Sequence, residues 1–132
     1  MMLQDISIFG LASTRMEWLT LRQQTVAQNV ANADTPGYKA REISSFGDVL
    51  SGEMRATGLE ATDPRHLGAS SSGIAPDVFD DPTSVDEKMN GNTVSVEREA
   101  IKADAIASDF SMAINLYRKS NELLTLAISG RR

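Results

Sequence analysis

The stretch that decides the fold is Gln28-Asn29-Val30-Ala31-Asn32-Ala33-Asp34-Thr35-Pro36-Gly37-Tyr38-Lys39-Ala40-Arg41. It has the features of a helix end followed by a tight turn. The proline restricts Thr35 to extended geometry. Pro36 and Gly37 fit the two central positions of a type II turn, where the second position needs a positive φ. The stretch therefore predicts a helix that ends near residue 33, then a turn and an extended continuation, with Phe46 folding back onto the helix.

Upstream of the turn, the sequence predicts a helix from about residue 3 to residue 33. Apolar residues recur there in alternating steps of three and four, which is the coiled-coil period. The stripe is Phe9, Ala12, Met16, Leu19, Val26, Val30 and Ala33, with Gln23 as its polar member. A second apolar line runs beside it and includes Trp18, which fits either an intrachain core or a partner contact. Because one partner helix needs only a single seam, the wider apolar face indicates several neighbours.

The carboxyl-terminal part, from Ser95 onward, repeats this design. Its stripe is Ala103, Ile106, Phe110, Ala113, Tyr117, Leu124 and Ala127, with Ser120 as the polar member. Ser95 is a good N-cap, and Gly130 followed by two arginines is a suitable stop. Gln23 and Ser120 are either tolerated polar residues or register-setting ones. Two helices of about 45 Å at opposite ends of one chain most simply pair with each other.

The middle of the chain differs in character from both ends. Residues 68–73 read Gly-Ala-Ser-Ser-Ser-Gly, and residues 57–97 hold eight acidic residues against two basic ones. We expect a largely extended or disordered segment with room for a short β-hairpin. Ser84 to Glu87 also fits a capping box that opens a short helix ended by Asn90-Gly91. The predicted fold class is mainly α, an antiparallel coiled-coil-like hairpin. It is divided into an N-terminal helix (1–33), the turn with the acidic segment (34–94) and a C-terminal helix (95–132).

Composition bounds the function. The 132 residues suit one domain, and with 41% hydrophobic but 5% aromatic residues the predicted core is thin, which favours completion by partners. The net charge of −5 leaves no basic stripe for nucleic acid. There is no cysteine. The first residues lack the basic and apolar regions of a cleaved signal peptide.

No combination of residues in the sequence indicates a catalytic, metal-binding or phosphate-binding site. His66 is the single histidine, and it has no cysteine or second histidine with which to form a zinc site or a catalytic triad. The aspartates between 77 and 86 lack the spacing of a calcium loop. Glycine-rich phosphate loops are absent from the sequence. We therefore predict no catalytic, cofactor or metal site, no small-molecule substrate and no enzymatic activity.

The turn also carries a family resemblance. Asn29, Asn32, Thr35, Pro36, Gly37 and Tyr38 form the pattern Asn-x-x-Asn-x-x-Thr-Pro-Gly-Tyr. That pattern resembles the signature of flagellar rod, hook and hook-associated axial proteins. The flanking Ala-Asp and Lys-Ala-Arg, together with stretches 63–67 and 90–99, are most similar to proximal rod members. Ser95 and Ala100 depart mildly from the residues that are common there.

The resemblance implies a structural subunit of the flagellar basal body. Such a subunit polymerises through its terminal helices into the proximal rod. Its partners would be other copies, sister rod proteins, the inner-membrane ring, rod-base adaptor proteins and the flagellar type III export apparatus. It would leave the cytoplasm without cleavage and reside in the periplasmic rod. The alternatives are a soluble helical binding module, such as an export chaperone or regulator, and a sister rod protein. We also expect the turn to direct the segment after it toward a neighbouring subunit.

Overall fold

The computed structural model describes residues 7–56 and 75–130. Its elements are α1 (Ser7–Ala31), β1 (Arg41–Ile43), α2 (Phe46–Ala56), β2 (Val78–Asp80) and α3 (Val96–Ile128). The prediction of a mainly helical fold with long terminal helices is confirmed. The predictions for the serine-rich run at 68–73, the Arg-His-Leu segment at 65–67, the first six residues and the two terminal arginines lie outside the described residues.

The two long helices pair in antiparallel orientation, as the sequence predicts. At one end the rings of Phe9 and Tyr117 meet edge to face at 5.2 Å. Further along, Arg15 bonds to Asp109 at 3.1 Å. α3 continues from Tyr117 to Ile128, eleven residues or roughly 16 Å beyond this contact.

The predicted ends of α3 are confirmed. The Ser95 hydroxyl accepts from the backbone N–H of Arg98, and two glutamates occupy the first turn, where the helix dipole favours anions. At the other end, the Ser129 N–H bonds to the carbonyl of Thr125 at 2.8 Å. Gly130 then takes a positive φ of 48°, which is the left-handed geometry that ends many helices.

A short antiparallel strand pair joins the two halves of the chain. β1 pairs with β2 so that Glu42 lies opposite Phe79. The backbone bonds Ser44 N–H to Asp77 O and Asp81 N–H to Ala40 O, both 2.8 Å, extend the ladder at each end. The predicted strand pairing is present, although one strand follows the turn directly instead of lying in the acidic segment.

Two local predictions need correction. Helix α2 is not among the elements predicted from the sequence; its first turn is capped by the Ser45 hydroxyl, which accepts from Asp48 N–H at 3.2 Å. The predicted helix from Ser84 to Asn90 is absent. There the Ser84 hydroxyl donates to the carbonyl of Thr93, and Lys88 N–H bonds to Asn92 O at 2.8 Å. These bonds, to residues nine and four positions further along the chain, replace the N-cap and the i→i−4 ladder that a helix requires.

The core lies where α1, α3, β1 and the start of α2 meet. Its buried members are Trp18, Leu19, Val26, Ile43 and Ile106. The Trp18 Nε1–H donates to Ser44 O at 2.9 Å, and its ring lies 5.9 Å from that of Phe46. Trp18 is therefore an intrachain core residue, and Phe46 does fold back onto α1. None of the helices in the described ranges is long and apolar enough to cross a membrane.

Candidate functional site

The turn after α1 has the geometry that its sequence predicts. The Tyr38 N–H bonds to the carbonyl of Thr35 at 3.2 Å and closes a four-residue turn around Pro36 and Gly37. Gly37 has a φ of 72°, as the second central position of a type II turn requires. The Thr35 hydroxyl donates to the Asn32 side chain at 3.2 Å. The turn therefore places Tyr38 back beside the last turn of α1.

Asn29 holds the segment that leaves the turn. Its side chain is completely buried. The amide nitrogen donates to Arg41 O at 2.8 Å and to Glu99 Oε2 at 3.0 Å. The amide oxygen accepts from Arg41 N–H at 2.9 Å and from Tyr38 Oη at 3.3 Å. Because all four hydrogen-bonding positions of the amide are used, Asn29 joins α1, β1 and α3 at one point.

A second segment, residues 88–94, binds the other side of the turn. Asn92 is also completely buried, and its amide donates to the carbonyls of Asn32 and Thr35, each at 2.8 Å. The Gly37 N–H donates to Asn90 O at 2.8 Å. The Lys88 ammonium donates to Ala33 O at 3.0 Å. These bonds tie residues 88–92 to the backbone of the turn that follows α1.

Thr93 extends this contact toward the strand. Its hydroxyl accepts from Ala40 N–H at 2.8 Å, and its own N–H donates to Tyr38 O at 3.1 Å. Ala33, Ala40 and Val94 form a small apolar cluster beneath, against which Tyr38 packs. We call residues 28–41 together with residues 88–94 the turn clasp. Within it the segment after the turn is bound by its own chain, so a contact with a neighbouring subunit stays a prediction.

A charged cluster lies beside the turn clasp. The Lys102 ammonium contacts carboxylates from three parts of the chain: Asp81 at 2.7 Å, Glu99 at 3.2 Å and Glu42 at 3.3 Å. Arg22 adds a two-pronged bond to Glu42, at 3.1 and 3.2 Å. The cluster ties α1, β1, the loop after β2 and α3 together.

The pKa directions reflect this pairing. Burial acts to raise the pKa of Asp81, but the bonds from Lys102 and Thr83 outweigh it and lower that pKa to about 2. In Glu42, burial is likewise outweighed by the hydrogen bond and charge of Arg22, so its pKa lies below the usual value. Burial opposes charging of Lys102, yet the three carboxylates raise its pKa. All three groups are therefore held in their charged forms.

The charged cluster and the turn clasp stabilise the fold and are not arranged for catalysis. Among residues 7–56 and 75–130, no group of histidine, cysteine, aspartate or glutamate side chains is arranged to hold a metal ion. Every buried side-chain nitrogen and oxygen in that part of the chain has a hydrogen-bond partner. A site built for catalysis usually keeps a reactive group available. Here the buried polar groups are used in fixing the path of the chain.

The packing residues predicted from the stripes divide into three groups. Those buried between the helices are Phe9, Ala12, Leu19, Val26, Ile106 and Ala113. Met16, Phe110 and Leu124 are half-buried. Val30 and Tyr117 are 44% and 41% exposed. For these last two, a role in assembly stays a prediction.

Sequence reasoning missed the partners of the turn. Asn92 and Thr93 fell within a stretch noticed only for its resemblance, and Asp81, Glu99 and Lys102 were not assigned a site. A local signal existed for the last two, because Glu99 and Lys102 are spaced i, i+3 on one helix and can pair. Nothing local indicates that Asp81 and Glu42 join them, since that contact depends on the pairing of β1 with β2.

The fold and the site together define the class of protein. It is a helical structural subunit in which the turn clasp holds two long helices together and rows of apolar side chains remain exposed on their outer faces. Comparison with known proteins gives the family. The model for "Flagella basal body rod protein" matches residues 11–39, which cover α1 from Leu11 and the turn. The chain is 32% identical over 128 residues to the flagellar basal body rod protein FlgB of Agrobacterium fabrum, covering 96% of each chain.

Two further relatives agree. FlgB of Aeromonas hydrophila is 31% identical and spans 92% of this chain, and FlgB of Cereibacter sphaeroides is 36% identical and spans 83%. The chain belongs to the FlgB family of flagellar basal body rod proteins. It is a structural component of the flagellum rather than an enzyme. Membership in a rod family also decides against the alternative of an export chaperone or regulator.

Proposed function

We propose that this chain polymerises through its terminal helices into the proximal rod of the flagellar drive shaft. One observation carries the proposal: α3 keeps large apolar side chains exposed along its outer face. Leu116 is 50% exposed, Leu123 57% and Leu126 66%. Contiguous apolar rows of this kind mark surfaces that are covered by other subunits. Because the chain belongs to a family of rod proteins, the rod is the assembly in which neighbouring subunits would cover these leucines.

We also propose that the three segments of the chain have different roles in assembly. The N-terminal helix (1–33) and the C-terminal helix (95–132) form the assembling surfaces, and residues 34–94 carry the turn and the strand pair that hold them in register. Val30 and Tyr117, exposed in the single subunit, are proposed contacts with neighbours. The turn residues then act by fixing the helix pair, and the outer side of the turn at Pro36 faces an adjacent subunit.

The family assignment supports further proposals about partners and location. The partners are other copies of this chain, sister rod proteins, the inner-membrane ring and rod-base adaptor proteins. We propose that the subunit leaves the cytoplasm through the flagellar type III export apparatus without a cleaved signal peptide. It would then assemble in the periplasmic section of the rod.

Deletion of the gene, followed by electron microscopy of purified basal bodies, tests the proposal. We expect basal bodies without a complete rod and loss of motility, both restored by the wild-type gene. Basal bodies that keep a complete rod would refute the rod assignment. Complementation with Pro36→Ala and Gly37→Ala variants tests the turn separately, because normal export and full-length rods from both would show that the turn does not matter for assembly.

A further inference from the structure

The turn clasp contains the dipeptide Asn90-Gly91, the one place in the sequence where glycine follows asparagine. In such a dipeptide the backbone nitrogen after the asparagine can attack the side-chain amide carbon, because glycine has no Cβ to hinder the approach. Asn90 is exposed, so water reaches its side chain. The dipeptide is therefore a candidate for loss of the side-chain amide, a modification that needs no enzyme.

The fold holds this dipeptide in a defined hairpin loop. The Gly91 N–H donates to Lys88 O, and the Lys88 N–H donates to Asn92 O, both at 2.8 Å. Gly91 has a φ of 80°, whereas the two residues before it have negative φ. These are the features of a type I turn followed by a glycine bulge, which is a common three-residue hairpin loop.

The atoms that would react are engaged in hydrogen bonds. The Gly91 nitrogen must lose its proton before it attacks, but that N–H is donated to Lys88 O. The Asn90 side chain must turn onto the Gly91 nitrogen, but its Oδ1 accepts from Asn92 N–H at 3.1 Å. The Asn90 carbonyl is fixed as well, since Gly37 N–H donates to it at 2.8 Å. Because an isolated hairpin is only marginally stable, opening of the turn clasp would release all of these groups together.

We propose that Asn90 is a deamidation site that the turn clasp protects, so that the modification takes place in chains whose clasp is open. The Gly91 nitrogen loses its proton and bonds to Cγ of Asn90. The side-chain nitrogen takes up a proton and leaves as ammonia, and a succinimide ring remains. Water then opens the ring, at Cγ to give aspartate or at the backbone carbonyl carbon to give isoaspartate. One water is consumed for each ammonia released, and no oxidant or reductant takes part.

The isoaspartate product prevents the clasp from closing again. Its chain runs through Cγ, which adds a methylene group to the backbone between residues 90 and 91. The former backbone carbonyl, which accepted from Gly37 N–H, becomes part of a free carboxylate. The loop has little room for this displacement, because even a Cβ on Gly91 would lie 3.4 Å from the Gly37 Cα. Deamidation therefore makes a transient opening of the clasp permanent.

Rates of deamidation in the full chain test the protection. The chain is incubated at mildly alkaline pH in buffer and in guanidinium chloride, and the tryptic peptide 89–98 is followed by mass spectrometry. In denaturant we expect Asn90 to react faster than the other asparagines. In buffer its rate should fall by about tenfold or more, because the rate then follows the fraction of chains with an open clasp.

Two glycine variants show whether the clasp provides the protection. Gly37→Ala strains the positive φ of the turn that binds Asn90, and should speed the reaction in buffer by about fivefold. Gly52→Ala, within α2, is the matched control and should not speed it. Neither change touches the dipeptide, so both variants should react like wild type in denaturant.

Equal rates in buffer and in denaturant would overturn the proposal, as would a faster reaction at another asparagine in denaturant. If Gly37→Ala reacts in buffer at the wild-type rate, the loop at 88–92 resists deamidation without the clasp. The chain with isoaspartate at position 90, separated by chromatography, should unfold at a lower urea concentration than Asn90→Asp, which has the same charge without the extra methylene. Equal urea midpoints would refute the permanent opening. None of these results depends on polymerisation, so a failure here leaves the proposed rod function standing.

Discussion

The side-chain amide of Asn29 donates to the Glu99 carboxylate over 3.0 Å, and neither residue is more than 2% exposed. This bond joins the last turns of α1 to the first turn of α3, across most of the length of the chain. A buried carboxylate needs hydrogen bonds or a counter-charge to remain folded away from water. Glu99 has both, through Asn29 and Lys102, so the pairing of the terminal helices depends on a small polar core.

Replacement of Asn29 by alanine should therefore be costly. The change removes four hydrogen bonds: Arg41 and Tyr38 lose the bonds that Asn29 makes to them, and Glu99 keeps only its contact with Lys102. We expect the free energy of unfolding to fall by roughly 2 to 4 kcal/mol in urea titrations followed by circular dichroism. Gln28→Ala, at the exposed neighbouring position, should change it by less than about 0.5 kcal/mol. Equal stabilities for the two variants would contradict the role of Asn29.

Glycine at position 37 should matter for its backbone geometry alone. An added Cβ would meet nothing within 4 Å there, but the φ of 72° disfavours any side chain. We expect Gly37→Ala to lower the free energy of unfolding by about 1 kcal/mol.

Gly52 provides the matched control for Gly37. It lies within α2 and also has open space around it, so Gly52→Ala should raise the free energy of unfolding by about 0.5 to 1 kcal/mol. The same substitution is therefore expected to lower the free energy of unfolding at position 37 and to raise it at position 52. A gain in stability at position 37 would show that the turn does not hold its positive φ in solution.

The turn was predictable because its determinants are local. Pro36 and Gly37 set their own backbone angles, and Ser95 caps a helix with a group three residues away. The helix stripes are also local, since their period follows from the geometry of the helix itself. The same reasoning failed at Ser84, where a valid capping pattern was overridden by a bond to Thr93.

The polar partners could not be predicted because they meet only in the folded chain. Asn92 reaches carbonyls 60 and 57 residues away, and Asp81 reaches Lys102 only because β2 pairs with β1. No local periodicity in a single sequence indicates contacts between residues so far apart. α2 is an intermediate case, since Ser45 and Asp48 form a recognisable cap, but the helix that follows is short.

The Asp81 carboxylate predicts an acid-sensitive part of the stability. Its pKa lies near 2 in the folded chain and at the ordinary value of 3.8 when unpaired. Because the unfolded chain takes up this proton first, the stabilisation is complete above pH 3.8 and is lost as the pH falls toward 2. We expect urea midpoints to fall over that range, and to fall less in Asp81→Asn. If the pH dependence of the variant matches that of the wild type, Asp81 is not paired in solution.

Lys102 should be the most sensitive member of the charged cluster. Lys102→Met keeps the length of the side chain but leaves three carboxylates facing one another without their shared cation. We expect the free energy of unfolding to fall by roughly 3 to 5 kcal/mol at neutral pH. Lys119→Met is the control, because Lys119 pairs with Glu122 on the exposed helix surface, and this change should cost less than about 0.5 kcal/mol. A small effect of Lys102→Met at neutral pH would mean that the cluster is solvated.

Phe46 and Phe79 give a paired test of the core. Phe46 packs on Trp18 at 5.9 Å, whereas Phe79 is 42% exposed on β2. Phe46→Ala should cost about 2 kcal/mol and shift the emission of the single tryptophan to longer wavelength, because water reaches the indole. Phe79→Ala should cost less than about 1 kcal/mol and leave the emission unchanged. A red shift from Phe79→Ala, or none from Phe46→Ala, would contradict the packing of α2 on α1 and would place Trp18 at a surface that only an assembled neighbour covers.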